Sequence, residues 1–226
     1  DSATKIAPAG EVLRVRDAVT LGAFGVGGVI AFRNDRGIAR TSQRADLQDN
    51  TALRNTAAIF RNIGQPGVLL GGLSAYAIGR VTHRPALASA GLRVTEAIVV
   101  AGTLTAVGKA AAGRSRPFVT GGVNPSDFEW WRGRREGFTS MPSGHTSAAF
   151  AAASALSVEW RDSWPGSANV AVPLLYAGAS MVGLSRIYND KHWASDVVAG
   201  AALGAFAGGV VARRRNKKKA RRMADW

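Results

Sequence analysis

The chain has 226 residues, 46% of them hydrophobic, with 27 glycines, no cysteine, and 29 lysines and arginines against 15 acidic side chains, a formal charge of +14. That apolar content can offset the entropy of ordering the chain, which excludes a disordered protein, and the lack of cysteine excludes a disulfide framework or a Cys-ligated zinc fold. What remains is one ordinary domain or a compact bundle of membrane helices, and a glycine share above the roughly 7% average suits close helix packing in lipid.

Six stretches are rich in Ala, Gly, Val and Leu and nearly free of charge: residues 18–32, 66–80, 87–108, 146–158, 169–184 and 197–212. Extended into their flanks they reach the ~20 residues that cross a bilayer, so the pattern predicts an all-α bundle of six transmembrane helices. The first is the weakest, because Val19 to Phe32 holds four glycines; it either spans the membrane or lies on its interface. Between the first two stretches, Arg33 to Gly64 mixes charges with Leu47, Leu53, Ala57, Ile59 and Phe60. That spacing predicts an amphipathic helix in the first outer loop, lying against the bundle or the membrane surface.

In the third stretch Arg93 and Glu96 share a helix face and are expected to neutralise each other. Lys109 ends this stretch, and Arg114 and Arg116-Pro117 follow in a loop. Two cations can thus approach one anion from different directions, arginine with a planar fork and lysine with a point charge. Farther along, Arg132, Arg134 and Arg135 either attract anionic headgroups or form a solvated loop.

Pro142-Ser143-Gly144-His145 precedes the fourth stretch. Ser143 and Gly144 then sit at the positive end of a helix dipole, beside free backbone N–H groups, and glycine lets an anion approach the backbone. An ordinary serine N-cap explains the same residues equally well. Trp160 and Trp164 flank the next turn, at headgroup level.

Ser185-Arg186 closes the fifth stretch, and His192 and Asp196 open the sixth, four residues apart. On a helix the carboxylate lies one turn beyond the imidazole, where it either caps the helix or fixes a tautomer that leaves the other ring nitrogen free to attack. The chain then runs into RRRNKKKARR, which holds eight of the 29 basic residues; without them the charge is +6. This run predicts a cytoplasmic positive-inside anchor that also attracts anionic lipid. No interleaved aromatics or nucleic-acid motif accompany it, so no nucleic-acid partner is expected. The chain divides into one membrane-embedded domain over residues 1–212 and a basic tail over 213–226.

Together the three polar blocks resemble the type 2 phosphatidic acid phosphatase superfamily, which includes bacterial membrane lipid phosphatases, class A acid phosphatases and vanadium haloperoxidases. The matching elements are Lys109, six residues and Arg116-Pro117; Pro142-Ser143-Gly144-His145; and Ser185-Arg186, five residues, His192, three residues and Asp196. The resemblance covers a core of about residues 87–212 and does not need residues 1–64. It implies an acid phosphatase/vanadium haloperoxidase-like core and a lipid phosphate phosphatase of the bacterial inner membrane, its site facing the periplasm or outer leaflet.

By that resemblance Lys109, Arg116 and Arg186 hold the phosphoryl oxygens, with Ser143 and the Gly144 amide completing the cradle. His192 attacks phosphorus to form a phosphohistidine, Asp196 orients it, and His145 protonates the leaving alcohol. No metal or other cofactor is called for, because fixed cations neutralise the phosphoryl group. The implied substrate is a lipid phosphomonoester or an isoprenoid pyrophosphate. Two alternatives stay open: vanadate-dependent haloperoxidation, with His192 as the vanadate ligand, and an accessory membrane subunit that kept the fold without turnover. Protein partners and oligomeric state are not legible.

Overall fold

The computed structural model describes residues 15–224, and among them every regular element is helical. In chain order these are α1 (Val15–Ser42), α2 (Ala45–Gln48), α3 (Thr51–Asn62), α4 (Val68–Val81), α5 (Pro85–Ala112), α6 (Gly144–Ser163), α7 (Ala168–Tyr188) and α8 (Ala194–Ala224). Five of the six apolar stretches fall inside α1 and α5 to α8, and the stretch 66–80 falls inside α4 but for its first two residues. Three segments, Pro85–Val119, Pro165–Tyr188 and Ala194–Arg214, are long and apolar enough to cross a membrane. The chain is a multi-pass membrane protein built as an all-helical bundle. α4, with 14 residues, reaches only about 21 Å, short of a ~30 Å hydrocarbon core.

α6 is the axis of the bundle. One of its faces contributes Ala148, Ala151, Ala152 and Ala155 to a core shared with Val94, Ala97, Ile98 and Ala101 of α5 and with Ala207 and Val211 of α8. Another face packs Ala149 and Ala153 against Ala179 and Val182 of α7 and Phe60 of α3. Such small side chains gain little from burial individually but let helices approach closely, which is where dispersion and interhelical hydrogen bonds act in lipid.

The α6/α8 seam takes this furthest. A Cβ on Gly200, Gly204 or Gly208 would lie 2.5, 2.2 and 2.4 Å from the carbonyl oxygens of Ser143, Ser147 and Ala151 respectively. One turn of α8 therefore matches one turn of α6, backbone to backbone. Hydroxyls tie the same layers: Thr105 Oγ1 donates to Ser147 Oγ at 3.1 Å, and Ser154 Oγ and Tyr176 Oη share a hydrogen bond at 2.9 Å.

One sequence expectation changes, and one ion pair is added. α1 does not stop at the end of its apolar stretch but continues to Ser42, so Arg33, Arg36 and Arg40 stand on a helix rather than in a loop. Arginine and alanine are good helix formers, so the helix outlasts the hydropathy. Arg93 pairs across the bundle with Glu159 of α6, Nε to Oε2 at 2.8 Å, both side chains nearly buried, a partner to which the sequence did not point. A buried guanidinium is best neutralised by a carboxylate on the facing helix.

The amphipathic segment is α3, capped by the Asn50 side chain accepting from the Leu53 N–H at 3.1 Å. It buries Ala57 and leaves Leu53 and Ile59 largely exposed on the outer side. α8 continues unbroken from its apolar turns into the basic run, with Asp196 in its first turn and Arg213 where the basic run begins.

Candidate active site

Helix ends build the site. α5 starts at Pro85, whose fixed φ suits a first helical position, and ends at Gly113, whose φ of 53° lets its N–H turn back to the Lys109 carbonyl. Lys109 thus occupies the last turn of α5 and Arg186 the last turn of α7, where the helix dipole favours a cation. Lys109 Nζ donates to the Thr139 carbonyl, and Arg116 Nη2 donates to Thr139 Oγ1 at 2.9 Å. One loop residue therefore holds both cations of the first block side by side.

Ser143 occupies the N-cap position of α6, but its side chain makes no capping bond; Thr146 Oγ1 donates to it at 2.9 Å. The Ser143 N–H is also engaged, donating to the Asp196 carbonyl at 3.0 Å. The amides that follow, from Gly144 to Thr146, open α6 and have no carbonyl of their own helix to bond, the first such bond being Ser147 N–H to the Ser143 carbonyl at 2.9 Å. A Cβ at Gly144 would meet Lys109 Cε at 3.8 Å and Gln65 Oε1 at 3.7 Å, contacts that leave room beside the backbone. Gln65 reaches this position because its extended backbone, just before Pro66, interrupts the helical path between α3 and α4. Next to it, Gly64 lies against the ring of His145: a Cβ there would fall 3.1 Å from His145 Cδ2.

His192 and Asp196 sit at the start of α8, and both are buried. His192 Nδ1 lies 3.8 Å from Asp196 Oδ2, too far for a hydrogen bond, and finds no other partner in the protein. Asp196 itself is saturated: Oδ2 accepts from Ser140 Oγ at 2.5 Å and from the Trp193 N–H at 2.8 Å, and Oδ1 accepts from Arg114 Nη1 at 2.6 Å. The Trp193 contact is the back-bond of a helix N-terminus, so the capping reading of this aspartate also holds. Burial brings His192 down from 6.5 to about 4; Asp196 opposes the shift and Lys109 and Arg116 add to it. The imidazole is a neutral base at physiological pH, the form a nucleophile needs.

The residues of all three blocks meet. His145 lies within electrostatic reach of Arg186, His192, Lys109 and Arg116. Within this cluster Arg116 Nε and Arg186 Nε and Nη1 are buried N–H donors without an acceptor in the protein. Buried polar groups are almost always hydrogen-bonded, and an unpaired buried charge is costly. An oxyanion seated between Lys109, Arg116, Arg186 and the α6 N-terminus would satisfy these donors.

The sequence reading did not single out Gln65, Thr139, Ser140 or Asp35. Gln65 precedes a proline inside an otherwise helical stretch, a local signal that was available. The other three reach the site through the tertiary fold. Arg114 belongs to the first block, and nothing in the sequence there gives it a role.

The lipid A 1-phosphatase of Porphyromonas gingivalis is 42% identical over 92 residues, which are 39% of this chain and only 19% of that much longer protein. The crystal structure of a transmembrane PAP2-type phosphatidylglycerolphosphate phosphatase from Bacillus subtilis superposes with a TM-score of 0.66 over 88% of this chain and 96% of that one, at 19% identity, and so shares its fold. The family model of the PAP2 superfamily matches residues 90–220, a span that holds every block of the cradle. The chain belongs to the PAP2 superfamily.

Proposed function

We propose that this protein is a metal-independent membrane phosphatase that removes phosphate from a lipid phosphomonoester or an isoprenoid pyrophosphate through a phosphohistidine. The observation that carries the reading is the set of buried arginine N–H donors without protein acceptors, grouped with Lys109, an open helix N-terminus and a buried imidazole. Lys109, Arg116 and Arg186 hold the equatorial oxygens, and the Gly144 amide adds a donor. Such fixed charges act where negative charge accumulates in the transition state, without reorganisation.

His192 attacks phosphorus through Nε2 while the bond to the ester oxygen breaks, and His145, protonated once the phosphoryl anion offsets the surrounding cations, donates its proton to that oxygen. His145 then takes a proton from water, which attacks the phosphohistidine and releases inorganic phosphate and free His192. Ser143 supports the cradle from the N-cap position of α6, and Asp196 sets the place of His192.

A lipid phosphate substrate is supported by the activities for which the two similar proteins are named, both lipid phosphatases. The position of the site supports an outward orientation in a bacterial inner membrane. His192 lies just before α8, and Arg213 opens the basic run roughly 28 Å of helix beyond Ala194. If the basic run stays in the cytoplasm, where anionic lipid attracts it, the site faces the opposite leaflet.

The test is phosphate release from phosphatidic acid, phosphatidylglycerophosphate and undecaprenyl pyrophosphate, with orthovanadate as inhibitor. Release from at least one substrate and competitive inhibition by vanadate are expected. No release from any of them, or full activity in excess vanadate, contradicts the proposal.

A further inference from the structure

Behind the cradle lies a second layer of charge that its chemistry has not yet used. Asp35 comes from α1, the part of the chain that the family blocks do not include, yet it is fully buried, as are Arg114 and Asp196. Arg114 bridges the two carboxylates: Nη2 donates to Asp35 Oδ2 at 2.7 Å and Nη1 to Asp196 Oδ1 at 2.6 Å. Asp35 also accepts from the Ser195 N–H at 2.9 Å and from Ser195 Oγ at 2.6 Å. Arg114 donates further to Ser195 Oγ at 2.7 Å and, through Nη2 and Nε, to the Pro125 carbonyl at 2.7 and 2.9 Å. Its guanidinium carbon lies 4.9 to 5.4 Å from the ring centres of Phe128, Phe32 and Trp193. In so dry a place charges act strongly on their neighbours.

The charge count is informative. Arg114 alone would cancel Asp196, leaving nothing to balance an imidazole that becomes cationic on phosphorylation. With Asp35 on its other side, two carboxylates and one guanidinium keep one net negative charge beside His192.

We propose that Asp35 and Arg114 are positioning residues of the phosphatase: Arg114 fixes the Asp196 carboxylate next to His192, and Asp35 offsets Arg114 so that the cluster stays anionic when the imidazole binds phosphorus. The inference rests on His192 being the nucleophile. In that step a bond forms between Nε2 and phosphorus as the bond from phosphorus to the ester oxygen breaks and the alcohol leaves with a proton from His145; the hydrogen remains on Nδ1, and the ring stays positive until water displaces it. Helix α1 thus belongs to the catalytic apparatus as well as to the bundle.

The test compares two inhibitors in the full-length membrane protein. Orthovanadate accepts a histidine nitrogen as an axial ligand and mimics the transition state, whereas inorganic phosphate sits in the cradle without that bond. The ratio of the phosphate to the vanadate inhibition constant therefore reports the axial bond. Asp35→Asn is expected to lower this ratio at least about tenfold, to lower kcat similarly, and to leave KM within about threefold. A purely structural role would weaken both inhibitors together and leave the ratio unchanged, which overturns the proposal.

Where Asp35→Asn does not accumulate in folded form, the same change is made on the Arg114→Gln background, in which no buried guanidinium is left unpaired. The ratio must again fall when the Asp35 charge is removed, and equal ratios overturn the proposal. His192→Ala serves as the separate control. If that variant keeps wild-type turnover, the nucleophile assignment itself has failed; if it is inactive and the ratio is insensitive to Asp35, only the positioning role has.

Discussion

Replacing His192 with alanine is expected to reduce phosphate release at least about 10³-fold, because losing a covalent nucleophile removes a whole reaction path rather than one contact. The side chain is 3% exposed and its Nδ1 has no partner in the protein. Truncation therefore leaves no broken hydrogen bond behind, only a cavity, for which a loss of about 2–4 kcal/mol is the usual order. The fold should survive, since the Asp196 carboxylate remains held by Ser140, Trp193 and Arg114. A His192→Gln variant, closer in volume, separates the two effects: it too is inactive but melts nearer to the wild-type temperature in detergent. The assay is phosphate release from phosphatidic acid beside thermal melting of the same preparations, and turnover above a tenth of wild type in a folded variant contradicts the assignment.

The second large effect is expected far from the cradle. Gly204→Leu should abolish the folded protein or lower its melting temperature by more than about 10 °C, the order expected when overpacking costs several kcal/mol in a chain of this size. The first side-chain carbon would lie 2.2 Å from the Ser147 carbonyl oxygen and 2.9 Å from the Ala151 nitrogen. Neither backbone atom can swing aside, so α8 must move away from α6. Because α8 carries His192 and Asp196 at its start and α6 carries Ser143 to His145, this movement also pulls the site apart. Gly178→Leu on α7 is the matched control: nothing lies within 4 Å of a Cβ there, and the variant should fold and turn over as wild type does. Thermal melting of both variants decides, and equal stability contradicts the account of the seam.

The two cases show which parts of the molecule a sequence exposes. The cradle residues were legible because their chemistry is local: a cation in the last turn of a helix, a glycine at the start of another, and an imidazole next to a capping aspartate. The six helices were legible because apolar runs of this length need lipid or a core around them. The glycines at 200, 204 and 208 could be counted, and their four-residue spacing marks a face for close approach. Their partners on α6 could not be read, because that choice is made by the whole bundle.

Asp35 marks the opposite extreme. Among Arg33, Arg36, Arg40 and Arg44 it looks like one acid in a solvated basic stretch, yet it is buried against Arg114 on a residue pair 79 positions apart. The same holds for Glu159, which takes Arg93 from a distant part of the chain, and for Thr139, which pins two cations from a loop without regular pattern. Hydropathy ends α1 at its last apolar residue, whereas the helix itself runs ten residues farther and delivers the buried acid.

The most direct measurement is rapid quenching of the enzyme during turnover of a ³²P-labelled lipid phosphate, followed by mapping of the labelled peptide. The predicted result is an acid-labile, base-stable phosphoryl group on His192, absent from His192→Ala. Turnover without a labelled enzyme, or label on Ser143 or His145 in place of His192, would contradict the account.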